Sequence, residues 1–194
     1  RCMYWLYWET VDGPVPRNVK LLVTLFKKKL KPLTILTRTS ITNYIDIVDA
    51  DHLNIAQRVD YYRAKLLYMH GGIWIDIDTV MLGNIDDIYE ALLNSDKEVC
   101  ISVSELPKNV CLQYLISKPK SRIFGHWYRE MEEVIRRREA IPYTYFAVIL
   151  ARLIERFDLV DTILPFPNEV VFRFGSAHYK KFYSEDKQFI IETI

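Results

Sequence analysis

The feature that most constrains the fold is a helix-length amphipathic segment that runs through two glycines into a short apolar run. From Asn54 to His70, apolar side chains recur at helical spacing. Gly71-Gly72 predicts the end of that helix, and residues 73–77 (IWIDI) have the composition of a buried strand. A helix followed by a buried strand is typical of an α/β domain.

The rest of the chain alternates between strand and helix patterns in the same way. Strands are predicted at 2–8, 33–37, 73–77, 99–103, 160–164 and 169–174, and helices at 19–30, 54–70, 86–93, 124–135 and 143–157. We therefore predict one α/β domain over residues 1–194, with a mostly parallel central sheet flanked by helices. Ligands of such domains bind at the carboxyl ends of the strands, so candidate site residues should lie there.

Charge and composition exclude several other classes of protein. The 26 lysines and arginines nearly balance the 25 aspartates and glutamates, so we expect no nucleic-acid partner. The longest apolar stretch, residues 145–154, is shorter than the roughly 20 residues that a membrane-spanning helix needs. Cys2, Cys100 and Cys111 contain no Cys-x-x-Cys pair, which favours a reducing, cytoplasmic setting. The start at Arg1 is compatible with a piece cut from a longer protein, and we expect a monomeric domain.

Asp76 and Asp78 are the strongest candidates for a chemical site. Asp76 lies near the end of the predicted strand 73–77 and Asp78 directly follows it, and alternate side chains of a strand point to the same side. A second such pair, Asp49 and Asp51, follows no strand and is interpreted as turn or helix-cap residues. Converging carboxylates repel each other unless a cation lies beside them, and oxygen ligands suit Mg²⁺ or Mn²⁺. The pair therefore predicts a divalent metal site; the alternative is one exposed aspartate and one that caps a turn.

The preceding helix adds two charged residues that point inward. On a helical wheel Asp60 and Arg63 lie within the apolar arc, whereas Arg58, Tyr61 and Lys65 face the other way. One interpretation is a buried i,i+3 ion pair, which is a costly way to gain stability. The other is a polar wall, in which Asp60 accepts from sugar or ribose hydroxyls and Arg63 donates to a phosphate or sugar oxygen.

These residues belong to one longer pattern in the chain, Asp-x-x-Arg-x-x-x-Leu-x-x-x-Gly-Gly-x-Trp-x-Asp-x-Asp, and the family that it resembles commonly has tyrosine at the position of Trp74. The matching positions are Asp60, Arg63, Leu67, Gly71, Gly72, Asp76 and Asp78. The segment resembles the DXD sugar-binding region shared by yeast-type initiating mannosyltransferases, capsular-polysaccharide transferases and clostridial glucosylating toxins. The chain is also similar to glycosyltransferase domains encoded by chloroviruses, which would place it in the cytoplasm of a host cell.

The resemblance implies a GT-A-like, Rossmann-like fold and a retaining hexosyl transfer from a UDP-sugar to a glycan or glycoprotein acceptor, with Mn²⁺ or Mg²⁺. It implies that Asp76 and Asp78 are catalytic, and that the metal ligands are Asp78, Asp76 and His178. The donor-binding residues would be Trp8, Thr10, Thr37, Arg38, Asp60, Arg63 and Asp76, with Trp8 stacked on the nucleobase. For His178 the alternative is a surface histidine in a lysine-rich tail.

Two other classes of protein fit part of the pattern. IWIDIDTV also fits the strand motif of haloacid-dehalogenase-like phosphatases, with Asp76 as the nucleophile. That family needs further acidic ligands downstream. The aspartates after residue 100 are Asp158, Asp161 and Asp186, and they form no Gly-Asp-x-x-x-Asp motif, which disfavours the phosphatase. A non-catalytic sugar-binding module would use the same aromatic and carboxylate chemistry, although it needs no site for a metal diphosphate. We therefore predict a glycosyltransferase, with these two classes as alternatives.

Overall fold

The fold is a sheet with helices on both faces, and the computed structural model describes residues 2–10, 13–77, 79, 85–105 and 109–166. The strands are β1 (Tyr4–Tyr7), β2 (Leu33–Leu36), β3 (Gly72–Ile75), β4 (Val99–Glu105), β5 (Asn109–Ser117) and β6 (Ile163–Phe166). The helices are α1 (Arg17–Lys29), α2 (Ile55–His70), α3 (Asp86–Leu93), α4 (Arg122–Arg137) and α5 (Tyr145–Arg156), with short 3₁₀ helices at Ile41–Asn43 and Val160–Thr162. Within these described segments, no helix has the length and apolar character to cross a membrane.

The sheet has the order β2-β1-β3-β5-β4-β6. β1 pairs in parallel with β2 and β3, and β4 pairs in parallel with β6, whereas β5 is antiparallel to both β3 and β4. The predicted mostly parallel sheet is therefore confirmed only in part. β5, which was not predicted as a strand, is antiparallel to both of its neighbours. β5 follows β4 after residues 106–108, and a connection this short has no room for the crossover that parallel pairing requires. The strand predicted at 169–174 lies outside the described residues.

The predicted helix and its glycine stop are confirmed at both ends of α2. Asn54 and Gln57 form a capping box, in which the Asn54 side chain accepts from the Gln57 backbone and the Gln57 side chain accepts from the Asn54 backbone. Gly71 and Gly72 have φ angles of 65° and 98°. A Cβ atom on Gly72 would lie 2.4 Å from the Met3 carbonyl oxygen, so the step from α2 into β3 requires glycine there.

The strand that precedes the predicted metal site is shorter than expected. β3 ends at Ile75, so the prediction that the strand extends over 73–77 and contains Asp76 is wrong. The Asp76 carbonyl accepts a hydrogen bond from the Thr79 backbone N–H at 3.0 Å, an i to i+3 bond typical of a turn. Asp76 therefore lies just beyond the carboxyl end of β3. Asp78 lies outside the described residues.

Helix α2 is buried on more of its surface than the wheel predicted. It packs in the same core cluster as α4 and α5, on one face of the sheet, while α1 and α3 pack on the other. The prediction that Arg58 and Tyr61 face away from the core is wrong, because both are buried. Tyr61 donates a 2.8 Å hydrogen bond to Glu132 on α4, and Lys65 Nζ lies 2.6 Å from the same carboxylate. Glu132 of α4 therefore supplies a carboxylate partner to both Tyr61 and Lys65 of α2.

Candidate functional site

The described candidate residues gather at one edge of the sheet. β1, β2 and β3 run parallel, so their carboxyl ends meet at that edge. Trp8 follows β1, Thr37 follows β2 and Asp76 follows β3. These three candidate residues therefore lie at the carboxyl ends of three neighbouring parallel strands. His178, like Asp78, lies outside the described residues.

Arg63 lies at the centre of a charged cluster at this edge. Its Nη2 is 3.2 Å from Asp60 Oδ1, and its Nη1 is 3.2 Å from Asp76 Oδ1. Nη1 also donates to the Leu112 backbone carbonyl in β5, and Nε donates to the Val59 carbonyl at 3.4 Å. The side chain is only 6% exposed. The guanidinium thus joins α2, the end of β3 and β5.

The i,i+3 ion pair considered from the sequence exists, but it is part of a larger arrangement. Asp76 adds a second carboxylate to Arg63, so two negative groups share one guanidinium. The Asp60 and Asp76 side chains are 13% and 22% exposed, which is more than Arg63. An ion pair present only for stability does not need a second, more accessible carboxylate. The cluster is therefore compatible with a polar wall whose carboxylates face a ligand.

Trp74 orients the Asp76 carboxylate. The indole Nε1–H donates to Asp76 Oδ1 at 2.9 Å, and Arg63 Cζ lies 5.4 Å from the centroid of the indole ring. Trp74 is buried, so its indole is a fixed donor. Sequence reasoning noted the tryptophan at a tyrosine position but missed this contact. The signal that points to it is that a buried indole N–H needs an acceptor, and Asp76 lies two residues away on the chain.

Asp60 has an unusual acidity for an aspartate. Burial raises the pKa of its carboxyl from 3.8 to about 6; Arg63 opposes this shift and the nearby Asp76 charge adds to it. The group therefore gains a proton within a pH range where an exposed aspartate is fully ionised. Because this pKa differs between the folded and the unfolded chain, the free energy of unfolding depends on pH.

We expect the stability difference between the wild type and Asp60→Asn to depend on pH. Below about pH 4, the Asp60 carboxyl is protonated in both the folded and the unfolded chain. Between pH 4 and 6 the unfolded chain loses this proton first, so the stability of the wild type relative to the variant falls by about 3 kcal/mol and then stays level. Urea unfolding of both proteins across pH 4–8 measures this difference. A stability difference that is constant or rises with pH would contradict the raised pKa of the Asp60 carboxyl.

The segment after β1 holds the predicted base-stacking residue. The Trp8 backbone N–H donates to the Leu36 carbonyl at 2.9 Å, which extends the pairing of β1 with β2 by one residue. The half-buried Trp8 indole donates to Thr10 Oγ1 at 3.2 Å. Trp8 and Thr10 thus contact each other at the rim of the same edge.

The segment after β2 holds two more candidates, and both have local partners. Thr37 Oγ1 lies 3.2 Å from Ser40 Oγ. The Arg38 guanidinium, which is exposed to solvent, pairs with Asp51. Asp49 Oδ1 accepts from the Asp51 backbone N–H at 3.1 Å, which confirms its interpretation as a turn residue. Arg38 lies on the surface and is accessible to an anionic ligand.

Asp76 supplies the carboxylate oxygens that a hard divalent cation prefers, so it fits the implied metal as one ligand. Within the described residues, no group of three or more histidines, cysteines, aspartates or glutamates is arranged to hold a metal ion. The resemblance implies two further ligands, Asp78 and His178, which lie outside the described residues. Carboxylate oxygens are the ligands that suit Mn²⁺ or Mg²⁺.

Comparison with known protein families points to the same part of the chain. Residues 21–95 match the family described as glycosyltransferase sugar-binding region containing DXD motif. The matched span covers about two-fifths of the chain and supports a glycosyltransferase role with sugar binding. Among curated proteins, none matches. The predicted site residues inside the span are Thr37, Arg38, Asp60, Arg63, Asp76 and Asp78, and those outside it are Trp8, Thr10 and His178.

Proposed function

We propose that this chain is a metal-dependent glycosyltransferase that transfers a hexose from a UDP-sugar to a glycan or glycoprotein acceptor with retention of configuration. The observation that carries the proposal is the cluster of Asp60, Arg63 and Asp76 at the carboxyl ends of parallel strands. All three residues lie within the span that matches the DXD family. We further propose that the domain is monomeric and acts in a reducing, cytoplasmic setting.

In this proposal the sugar binds to the carboxylates of the cluster. Asp60 accepts hydrogen bonds from hydroxyls of the hexose, and Asp76 accepts from a ribose or sugar hydroxyl. Arg63 is less exposed than either carboxylate and is held by protein acceptors, so it positions the two carboxylates in addition to supplying positive charge. A hexose held in one orientation loses less entropy when it reaches the transition state.

The nucleotide binds toward the ends of β1 and β2. Trp8 stacks on the base, while Thr10, Thr37 and Arg38 face the remainder of the nucleotide. Asp78, Asp76 and His178 would hold Mn²⁺ or Mg²⁺. Such a cation, when bound, neutralises the charge that develops on the leaving nucleoside diphosphate.

Titration calorimetry with UDP, GDP and UDP-sugars, each with and without Mn²⁺, tests the proposed function. We expect UDP to bind more tightly than GDP and only in the presence of the metal. Turnover of the UDP-sugar that binds should then release UDP when an acceptor glycan is added. Metal-dependent binding of a nucleotide would argue against a simple sugar-binding module. Hydrolysis of an aryl phosphate that is lost in Asp76→Asn, without any UDP binding, would instead support the phosphatase.

A further inference from the structure

Glu9 and Arg58 form a buried ion pair that joins the end of β1 to the first turn of α2. Glu9 Oε1 lies 3.1 Å from Arg58 Nη2, and the two side chains are 13% and 8% exposed. Tyr7 donates to Glu9 Oε2 at 2.8 Å, and Arg58 Nη1 donates to the Leu53 carbonyl at 2.7 Å. Arg58 Nε is buried and has no hydrogen-bond partner among the described residues. Glu9 therefore compensates a guanidinium that is almost completely removed from water.

Burial of this ion pair carries a desolvation penalty that offsets much of its contribution to stability. Arg58 lies in the first turn of α2, where the positive end of the helix dipole disfavours a cation. Removing two charges from water carries a large desolvation penalty, and proteins with well-packed apolar residues in place of a buried ion pair are often as stable. The unpartnered Nε adds to the cost. Stability alone is thus a weak explanation for the pair.

The pair connects two parts of the site that otherwise belong to different elements. Glu9 lies between Trp8 and Thr10, in the segment where β1 leaves the sheet. Arg58 lies on the helix that also carries Asp60 and Arg63. The ion pair therefore fixes the distance between the segment that holds the Trp8 indole and the helix that holds the charged cluster.

We propose that Glu9, acting through Arg58, is a positioning residue that holds the Trp8 indole in place relative to α2. The inference rests on the proposed function, in which Trp8 covers the nucleobase and α2 binds the sugar. Glu9 Oε1 also lies 3.9 Å from Nη1 of Arg38, so in this proposal Glu9 acts on the nucleotide through the residues that it holds. Its carboxylate sets the separation of the base and sugar subsites, so its loss weakens binding of the whole nucleotide before it affects the chemical step.

Tryptophan fluorescence provides a measurement that needs no activity. Trp5, Trp74 and Trp127 are buried, whereas Trp8 is half-buried, so acrylamide quenching reports mainly on Trp8. The variant Trp8→Phe defines the background from the buried tryptophans. We expect Glu9→Gln to raise the quenching constant in the free protein. We also expect it to weaken UDP affinity about tenfold and to raise the donor KM more than it lowers kcat.

A double variant keeps the test valid when Glu9→Gln leaves Arg58 unpaired and unfolds the chain. Glu9→Gln combined with Arg58→Met removes both charges at similar volume. The matched control is Lys65→Met, which breaks the buried contact with Glu132 between α2 and α4 and should lower stability without changing Trp8 quenching. A folded double variant with wild-type quenching, or with wild-type UDP affinity in a protein that binds UDP, would overturn the positioning role. If quenching rises but the wild type binds no UDP, the proposed function fails and the positioning of Trp8 stands.

Discussion

Replacing Arg63 with lysine should lower kcat/KM for sugar transfer at least about 100-fold, which corresponds to about 2.7 kcal/mol of transition-state stabilisation. The two Nη atoms of Arg63 reach Asp60 and Asp76 separately, and Nη1 also donates to the Leu112 carbonyl. A lysine ammonium is a single point of charge and cannot bridge these three acceptors. The two carboxylates would then repel each other and leave their positions at the edge of the sheet.

Steady-state kinetics with the UDP-sugar identified by calorimetry would measure this loss, and thermal unfolding would show whether the variant folds. The matched control is Arg129→Lys, because Arg129 is an exposed arginine of α4 that contacts the rings of Tyr68 and Tyr128. We expect that variant to retain wild-type activity. Near-wild-type turnover in a folded Arg63→Lys protein would show that the cluster is not needed for transfer.

Replacing Asp78 with asparagine should abolish Mn²⁺-dependent UDP binding and turnover while the fold stays stable. The neutral amide is a poorer ligand for a hard cation than a carboxylate, and removing one of two adjacent charges relieves their repulsion when no cation is bound. Calorimetry with UDP and Mn²⁺, together with thermal unfolding, measures both effects.

The chain contains its own control for this experiment. Asp49→Asn changes the other Asp-x-Asp pair, whose first member lies in a turn, and should leave UDP binding unchanged. Turnover by the wild type that persists in excess EDTA would refute the metal requirement itself.

Part of the candidate site could be predicted from the sequence because Asp60, Arg63 and Asp76 lie within 17 residues of one another. Helical spacing indicated that Asp60 and Arg63 share the inner face of α2, and the structure confirms their contact. Gly71-Gly72 indicated a sharp end to the helix, which the positive φ angles confirm. Periodicity and turn chemistry act over a few residues, so they can be read without knowledge of the fold.

The contacts that complete the site depend on elements far apart in the chain. β5 was not predicted, yet its reversed direction brings the Leu112 carbonyl to Arg63. Arg58 was predicted to face outward, and its pairing with Glu9 depends on how the end of β1 meets α2. Local patterns therefore indicated which side chains belong to the candidate site, whereas packing of distant segments determined their partners. The physical reason is that burial and electrostatic pairing depend on what lies across the interface, and a residue's own neighbours in sequence carry no information about that.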